Sequence, residues 1–167
     1  YYESWNDIIK QNVNFTKRIK HPPENMINTL LSFANSLVYT TALAEIYKTQ
    51  LNPTVSYLHE PGVARFSLSL DIAEIFKPLI AERMIFSLLN KNMISEDDFE
   101  KESNYLYLKE SARKIIVEEY DKRLQRTIKH KELNRDVSYR YLFRLECYKL
   151  IKHLTEEKEY EGFKIWW

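Results

Sequence analysis

The sequence predicts an all-α fold, a single helical domain of about five to seven helices over residues 1–167. Only 2 glycines and 5 prolines interrupt the chain, which favours helices over the many turns of a β fold. Hydrophobic residues make up 44% of the chain and charged residues 29%. Apolar residues recur with a helical period over several long segments, and this periodicity carries the prediction.

Two helices joined by a basic connector are predicted in the first 50 residues. Residues 1–14 form an amphipathic helix. The connector, residues 15–24, ends in two consecutive prolines, which stop any helix before them. Residues 25–50 form the second helix, because their apolar positions follow the helical period.

A longer helix with an internal break is predicted after a loop. The loop opens at Asn52 and contains His59. The helix begins near Ser67, a residue type that caps helix N-termini, and runs towards Asn92. Pro78 lies inside this helix, where its ring removes a backbone hydrogen bond, so the helix should kink or split there.

The last third of the chain predicts two long helices and an aromatic tail. Ser95 begins a helix-start signal, and residues 105–108 are expected to be extended. Residues 109–131 form a charge-laced helix, and residues 137–157 form the last one. The tail, residues 160–167, is expected either to pack back or to be loose.

Composition excludes several classes of protein. A net charge of +1 is not that of a strongly basic nucleic-acid binder, so any DNA groove would be local. A basic run over residues 122–131 fits such a groove or a solvated helix face balanced by neighbouring acids. The chain has no glycine-rich phosphate loop and no Ser-His-Asp or Cys-His pattern. His21, His130 and His153 stand among basic residues and are expected at the surface.

The compartment is expected to be the cytoplasm. Cys147 is the single cysteine, so it forms no internal disulfide and is expected to be a buried free thiol. The first 20 residues lack the apolar run of a secretory signal. Residues 79–89 are too short to span a bilayer and are interrupted by charges. A soluble protein without a membrane partner is therefore expected.

A histidine followed by two acids is the most specific chemical pattern in the chain. His59 lies in a turn-forming segment, and Asp71 and Glu74 follow at i, i+3 spacing, which places both acids on one helix face. Acids among apolar residues need a partner such as a metal or a base. An imidazole with carboxylate oxygens suits Mn²⁺, Mg²⁺ or Zn²⁺. The alternative is a loop or packing histidine beside a solvated acid pair.

Three motifs in a fixed order resemble one protein family. They are Asn28-x-Leu30-Leu31-Ser32-Phe33, Leu58-His59-Glu60, and Leu68-x-Leu70-Asp71-x-x-Glu74-x-Phe76-Lys77-Pro78. Together they resemble the C-terminal helical domain of the CRISPR-associated spacer-acquisition endonuclease, the first Cas protein. The clearest match covers residues 21–99. Two departures stand out, since Lys77 replaces the usual arginine and Asn35 a frequent tyrosine.

The resemblance implies a metal-dependent DNA endonuclease and integrase that inserts new spacers into a CRISPR array. It implies that His59 and Glu74 bind Mg²⁺ or Mn²⁺. It implies that Asp71 is a catalytic residue of the same pocket, where it orients His59, bridges through water or takes part in the metal shell. It also implies phosphate contacts from Lys77, Arg65 and Arg83. A further glutamate ligand and an N-terminal β domain would lie upstream of Tyr1, so the chain alone is expected to be weakly active or inactive.

The partners that the resemblance implies are double-stranded or branched DNA, the second Cas protein and a second copy in a homodimer. The alternative is a helical DNA-binding or protein-interaction module without chemistry. In that case His59 and Asp71 form a buried hydrogen-bonded pair, and the basic helix near Arg123 binds DNA or a partner. Metal dependence distinguishes the two hypotheses.

Overall fold

The computed structural model describes residues 2–13, 15–19, 25–59, 66–102 and 105–165. Helices dominate these residues. The α-helices are α1 (Trp5–Ile8), α2 (Met26–Ile46), α3 (Ser67–Lys77), α4 (Arg83–Asn90), α5 (Glu110–Gln125) and α6 (Tyr139–Leu154). A π-helical segment, Pro78–Glu82, joins α3 to α4, and a 3-10 turn covers Glu96–Asp98. The strands are β1 (Phe99–Glu102), β2 (Tyr105–Leu108), β3 (Thr127–His130) and β4 (Arg135–Ser138).

The helix α2 is the centre of the fold. Its N-terminus is capped by Asn25, whose side chain accepts the backbone N–H of Asn28 at 2.9 Å. Both α3 and α6 pack along it. Its interior residues, among them Ala34, Val38 and Ala42, are fully buried, and their small side chains let the neighbouring helices approach closely.

The all-α prediction is wrong in one respect, because two antiparallel hairpins interrupt the helices. The strands β1 and β2 form one two-stranded sheet, and β3 and β4 form the other. Residues 109–131 were expected to be one helix, but α5 ends at Gln125 and β3 follows. The β-branched Thr127 and Ile128 favour a strand, and Asn134 supplies the left-handed turn residue with φ 46°.

Several predicted boundaries agree with the structure. Residues 105–108 are extended, and Ser95 with Asp98 forms a capping box around the 3-10 turn. The free thiol of Cys147 is buried, and this burial raises its pKa to about 12. His153 is exposed as expected, whereas His130 is only 9% exposed and is not a surface residue; His21 lies outside the described residues.

The N-terminal helix is shorter than its amphipathic pattern indicates. Among the described residues of the predicted helix, 2–13, only Trp5–Ile8 is helical. The chain beyond α1 follows the end of α4 instead, because the Gln11 amide donates to the carbonyl oxygens of Leu89 at 2.7 Å and Ile94 at 3.0 Å. These tertiary hydrogen bonds replace the local ones of a helix.

The break predicted at Pro78 is confirmed as a change of helix type. Arg123 of α5 donates hydrogen bonds to two carbonyl groups at this break, one in the π-helical segment and one in the first residue of α4. Its guanidinium donates to the carbonyl oxygens of Leu79 at 3.1 Å and Arg83 at 3.2 Å. Burial, with a smaller contribution from the charge of Arg126, lowers the pKa of Arg123 to about 10. Arg123 is only 8% exposed and supports the fold. The expectation that the basic helix near it binds DNA or a partner stays a prediction.

None of the helices in the described part of the chain is both long and apolar enough to cross a membrane.

Candidate active site

The side chains of His59 and Asp71 meet at the N-terminal half of α3. Asp71 is only 7% exposed, and its Oδ1 lies 2.6 Å from His59 Nδ1. Its Oδ2 accepts the backbone N–H groups of Tyr57 at 2.7 Å and Leu58 at 3.1 Å. One carboxylate thus fixes both the path of the loop and the ring of the histidine, which satisfies the requirement that a buried charge be hydrogen-bonded.

This arrangement selects one tautomer of His59. An ionised carboxylate only accepts hydrogen bonds, so Nδ1 carries the proton and Nε2 carries a lone pair. The His59 side chain is 41% exposed, and Nε2 has no hydrogen-bond partner among the described residues. A carboxylate that holds a histidine in this way is the usual support of a metal-binding imidazole.

Local side-chain bonds build the loop before His59. Asn52 Oδ1 accepts the backbone N–H of Thr54 at 3.0 Å, as in an Asx turn. Ser67 Oγ donates to the Thr54 carbonyl at 3.0 Å, which ties the loop to the start of α3. Ser56 Oγ then donates to the His59 carbonyl. These hydrogen bonds fix the loop so that His59 lies against Asp71.

Glu74 lies one turn beyond Asp71 but is engaged elsewhere. Its side chain is 50% exposed and forms an ion pair with Lys77. The Lys77 ammonium lies 4.7 Å from the centre of the Tyr39 ring on α2, a cation–π distance. No three His, Cys, Asp or Glu residues within the described ranges lie close enough together to hold one metal ion.

The two remaining predicted phosphate contacts differ in what the structure shows. Arg83 begins α4, and its side chain is exposed. Arg65 lies outside the described residues. The structure therefore brings together His59 and Asp71, and it places Glu74 and Lys77 as a pair on the same helix.

A row of polar residues on α2 was missed by the sequence reasoning. Asn28, Ser32, Asn35 and Tyr39 are spaced so that they share one helix face. The Oδ1 atom of Asn35 is buried and has no hydrogen-bond partner among the described residues. The regular spacing of these polar residues in an otherwise apolar helix is the sequence signal that could have identified them.

Arg18 of the connector lies against this row. Its guanidinium donates to the Asn28 carbonyl at 2.9 Å and to Ser32 Oγ at 2.9 Å. Burial lowers the pKa of Arg18, while the nearby hydroxyls of Tyr2 and Tyr39 oppose that shift. Tyr39 therefore lies between two cations, Arg18 and Lys77, along the flank of α3.

Comparison with known proteins decides the family. Residues 1–122 match the family described as CRISPR associated protein Cas1. The chain belongs to the Cas1 family. A CRISPR-associated endonuclease Cas1 of Fusobacterium nucleatum is 64% identical over 167 residues, which are all of this chain and 49% of that protein. One from Thermodesulfovibrio yellowstonii is 60% identical and covers 100% of this chain and 51% of its own.

Solved Cas1 structures share the fold described above. A CAS1 protein from Thermotoga maritima superposes with a TM-score of 0.87 at 42% identity, over 96% of this chain and 50% of that one. A casposase bound to integration product superposes with a TM-score of 0.86 at 25% identity, over 99% of this chain and 51% of that one. The resemblance to the first Cas protein is thus confirmed. The chain spans about half the length of the curated relatives it matches.

Proposed function

We propose that the chain is the catalytic part of a metal-dependent DNA endonuclease and integrase of CRISPR adaptation. The observation that carries the proposal is the His59–Asp71 pair, in which Nδ1 lies 2.6 Å from the carboxylate and Nε2 has no hydrogen-bond partner in the part of the chain that the structure describes. The relatives named endonucleases and the casposase bound to integration product support the same reaction class. Insertion of spacers into a CRISPR array is the specific form that the resemblance implies.

The chemistry of the donor set fits a hard divalent ion. His59 Nε2 and the half-exposed Glu74 carboxylate would hold Mg²⁺ or Mn²⁺ in this proposal, with further ligands supplied by the longer protein. When bound, such an ion polarises a phosphodiester and makes an attacking water or 3′-hydroxyl more acidic. Two candidate ligands within one chain also explain why this half alone is expected to bind the ion weakly.

The other residues of the site have defined tasks in this proposal. Asp71 keeps the imidazole in the tautomer that leaves Nε2 basic. Lys77 forms an ion pair with Glu74 before the metal ion binds. Once Glu74 holds the ion, the Lys77 ammonium offsets phosphate charge. Arg83 at the start of α4 adds a phosphate contact, and Arg65, which lies outside the described residues, is proposed to add another.

The proposed partners are those that the resemblance to the family implies. DNA, double-stranded or branched, is the substrate, and the second Cas protein and a second copy of the longer chain complete the assembly. The alternative is a helical DNA-binding or protein-interaction module without chemistry. Such a module would use exposed cations of the basic run such as Lys122 and Arg126, because Arg123 is buried against backbone carbonyls.

Mn²⁺-dependent cleavage and strand transfer on branched DNA test the proposal. The protein is the chain extended upstream of Tyr1, compared with its His59→Ala and Glu74→Ala variants. Both variants are expected to lose strand transfer while keeping the helical circular dichroism signal. Glu118→Ala, which removes an exposed acid on α5, is the matched control and should keep full activity.

The outcomes separate the two hypotheses. Activity that needs Mn²⁺, His59 and Glu74 supports the proposed site. Full Mn²⁺-dependent activity in His59→Ala would mean that the His59–Asp71 pair is structural. Full nuclease activity of residues 1–167 alone would contradict the expectation that ligands from the longer chain are required.

A further inference from the structure

The chain turns back on itself after α6 and runs towards α3. We call residues 155–165 the C-terminal strap. Its turn is set by Glu156, which adopts the left-handed conformation with φ 58°. The backbone N–H groups of Glu157 and Lys158 then donate to the Lys152 carbonyl at 2.9 and 3.2 Å. The last carbonyls of α6 are thereby satisfied, as at other helix ends of this type.

A buried carboxylate on α6 anchors the strap. Glu146 is 1% exposed, and its Oε1 accepts the Tyr160 hydroxyl at 2.6 Å and the Phe163 backbone N–H at 3.0 Å. Its Oε2 pairs with Lys149 Nζ at 3.0 Å, and the same ammonium donates to the Glu161 carbonyl at 3.2 Å. The carboxylate is buried only because these donors surround it, so it fixes the strap at defined positions.

The anchored strap packs against α3, the helix that carries Asp71 and Glu74. The Phe163 ring centre lies 5.4 Å from that of Phe76, and Phe76 lies 4.1 Å from Phe143 of α6. Phe76 is fully buried on α3, five residues after Asp71 and two after Glu74. The Phe76 ring is therefore held between α6 and the strap.

Electrostatics place the strap near Asp71 as well. Burial and the hydrogen bond to Glu146 raise the pKa of Tyr160, and the negative charge of Asp71 adds to that shift. The strap contacts α3 at Phe76, and the loop of residues 56–59 contacts it at Asp71, five residues earlier on the same helix.

We propose that the C-terminal strap, anchored by Glu146, is a positioning element that holds α3 where Asp71 can orient His59. This inference rests on the proposed function, because it concerns the activity of that same site. Its physical basis is the short reach of the His59–Asp71 hydrogen bond, which a small shift of α3 would break. Groups in an active site that move by a fraction of an ångström lose much of their catalytic effect.

Substitutions in the strap of the longer chain test the inference. Phe163→Ala removes the ring against Phe76, and we expect kcat for Mn²⁺-dependent strand transfer to fall about tenfold with KM for branched DNA unchanged. Phe163→Leu refills the volume and should restore most of the rate. Tyr160→Phe keeps the ring and removes one hydrogen bond, with an expected loss of about threefold. Glu159→Ala is the matched control, since its side chain is exposed on the same segment.

A spectroscopic readout separates positioning from folding. In protein labelled with ¹⁵N-histidine, the His59 Nδ1 signal reports its bond to Asp71, and we expect Phe163→Ala to move it while Glu159→Ala leaves it in place. All rates are measured well below the melting temperature of each variant. A folded Phe163→Ala variant with normal kcat, or with an unchanged His59 signal, would overturn the inference. If His59→Ala is also active, the proposed function fails; if His59→Ala is inactive, only the strap inference fails.

Discussion

Two buried charges of this molecule have opposite uses. Asp71 on α3 and Arg123 on α5 are 7% and 8% exposed, and each is surrounded by hydrogen-bond partners. The guanidinium of Arg123 donates to two backbone carbonyls, so its hydrogen-bonding groups stabilise the fold. The bonds of Asp71 reach two backbone N–H groups and Nδ1 of His59, whose side chain is 41% exposed. A buried charge therefore indicates a reactive site only where its hydrogen-bond network leaves an open lone pair at the surface.

Substitution of Arg123 is expected to give the largest loss of stability. Arg123→Met removes both hydrogen bonds to the carbonyls of Leu79 and Arg83, and we expect the free energy of unfolding to fall by about 3 kcal/mol. Urea unfolding followed by circular dichroism measures this change. Arg126→Met, an exposed arginine three residues along the same segment, is the control and should change stability by less than about 0.5 kcal/mol. Equal effects of the two substitutions would contradict the structural role of Arg123.

The charge of the candidate site is expected to act on activity more than on stability. Asp71→Asn keeps the shape of the side chain, but its amide no longer fixes the tautomer of His59. We expect about a 10- to 100-fold loss of Mn²⁺ affinity in the longer chain, measured as the Mn²⁺ concentration that gives half-maximal strand transfer. The same half-maximal concentration in the variant and the parent would show that Asp71 is not part of the site. Glu118→Gln is the neutral control.

The sequence predicts part of the candidate site but not the contact between Asp71 and His59. The spacing of His59, Asp71 and Glu74, together with three ordered motifs, is enough to predict where the candidate site lies. The sequence does not show which acid contacts the histidine, because that depends on the backbone N–H groups of Tyr57 and Leu58 in a loop. The roles of His59, Asp71 and Glu74 in metal binding remain predictions.

The fold was predictable where helices are long and capped by polar residues. Asn25 and Ser95 mark element starts correctly, and Pro78 marks the change to a π-helix. The hairpin of β3 and β4 was missed because four-residue strands give little periodicity and its turn uses Asn134 rather than glycine. The burial of Arg123 could not be predicted from the sequence, because it depends on how α5 packs against the carbonyls of Leu79 and Arg83.

Tyr120, like Arg123, is a buried residue whose polar group has a structural role. The Tyr120 hydroxyl lies 2.7 Å from Thr41 Oγ1 and donates to the Leu37 carbonyl at 3.0 Å, so its bonds also end inside the fold. We expect Tyr120→Phe to lower the free energy of unfolding by about 1 kcal/mol without changing strand transfer. Thermal unfolding at pH 7 measures the loss. An effect on strand transfer at full stability would contradict a purely structural role.

The same tyrosine predicts a dependence on pH. Burial raises the pKa of Tyr120 to about 12, above its ordinary value of 10. The folded protein therefore retains a proton that the unfolded chain loses as pH rises above 10, so the contribution of Tyr120 to stability falls between these two values. The parent should lose more stability than Tyr120→Phe between pH 9.5 and 11.5. Parallel stability curves for the two proteins would show that the phenol is not held neutral by the fold.

The smallest expected effects distinguish two exposed cations that the sequence alone treats alike. Lys122 forms an ion pair with Glu119 at 2.7 Å, so its charge is largely neutralised, whereas Arg83 is exposed at the start of α4. We expect Arg83→Ala to weaken branched-DNA binding by the longer chain about threefold and to reduce the salt slope by about 1. Lys122→Ala should leave both unchanged.

The position of Arg83 makes this a clean substitution. Its carbonyl accepts the hydrogen bond from Arg123, and that bond does not depend on the Arg83 side chain. Removing the side chain therefore changes the surface charge while the buried guanidinium keeps both of its acceptors. A larger salt effect for Lys122→Ala than for Arg83→Ala would move the DNA groove from the α3–α4 helix pair to α5, the face that the sequence alone left open.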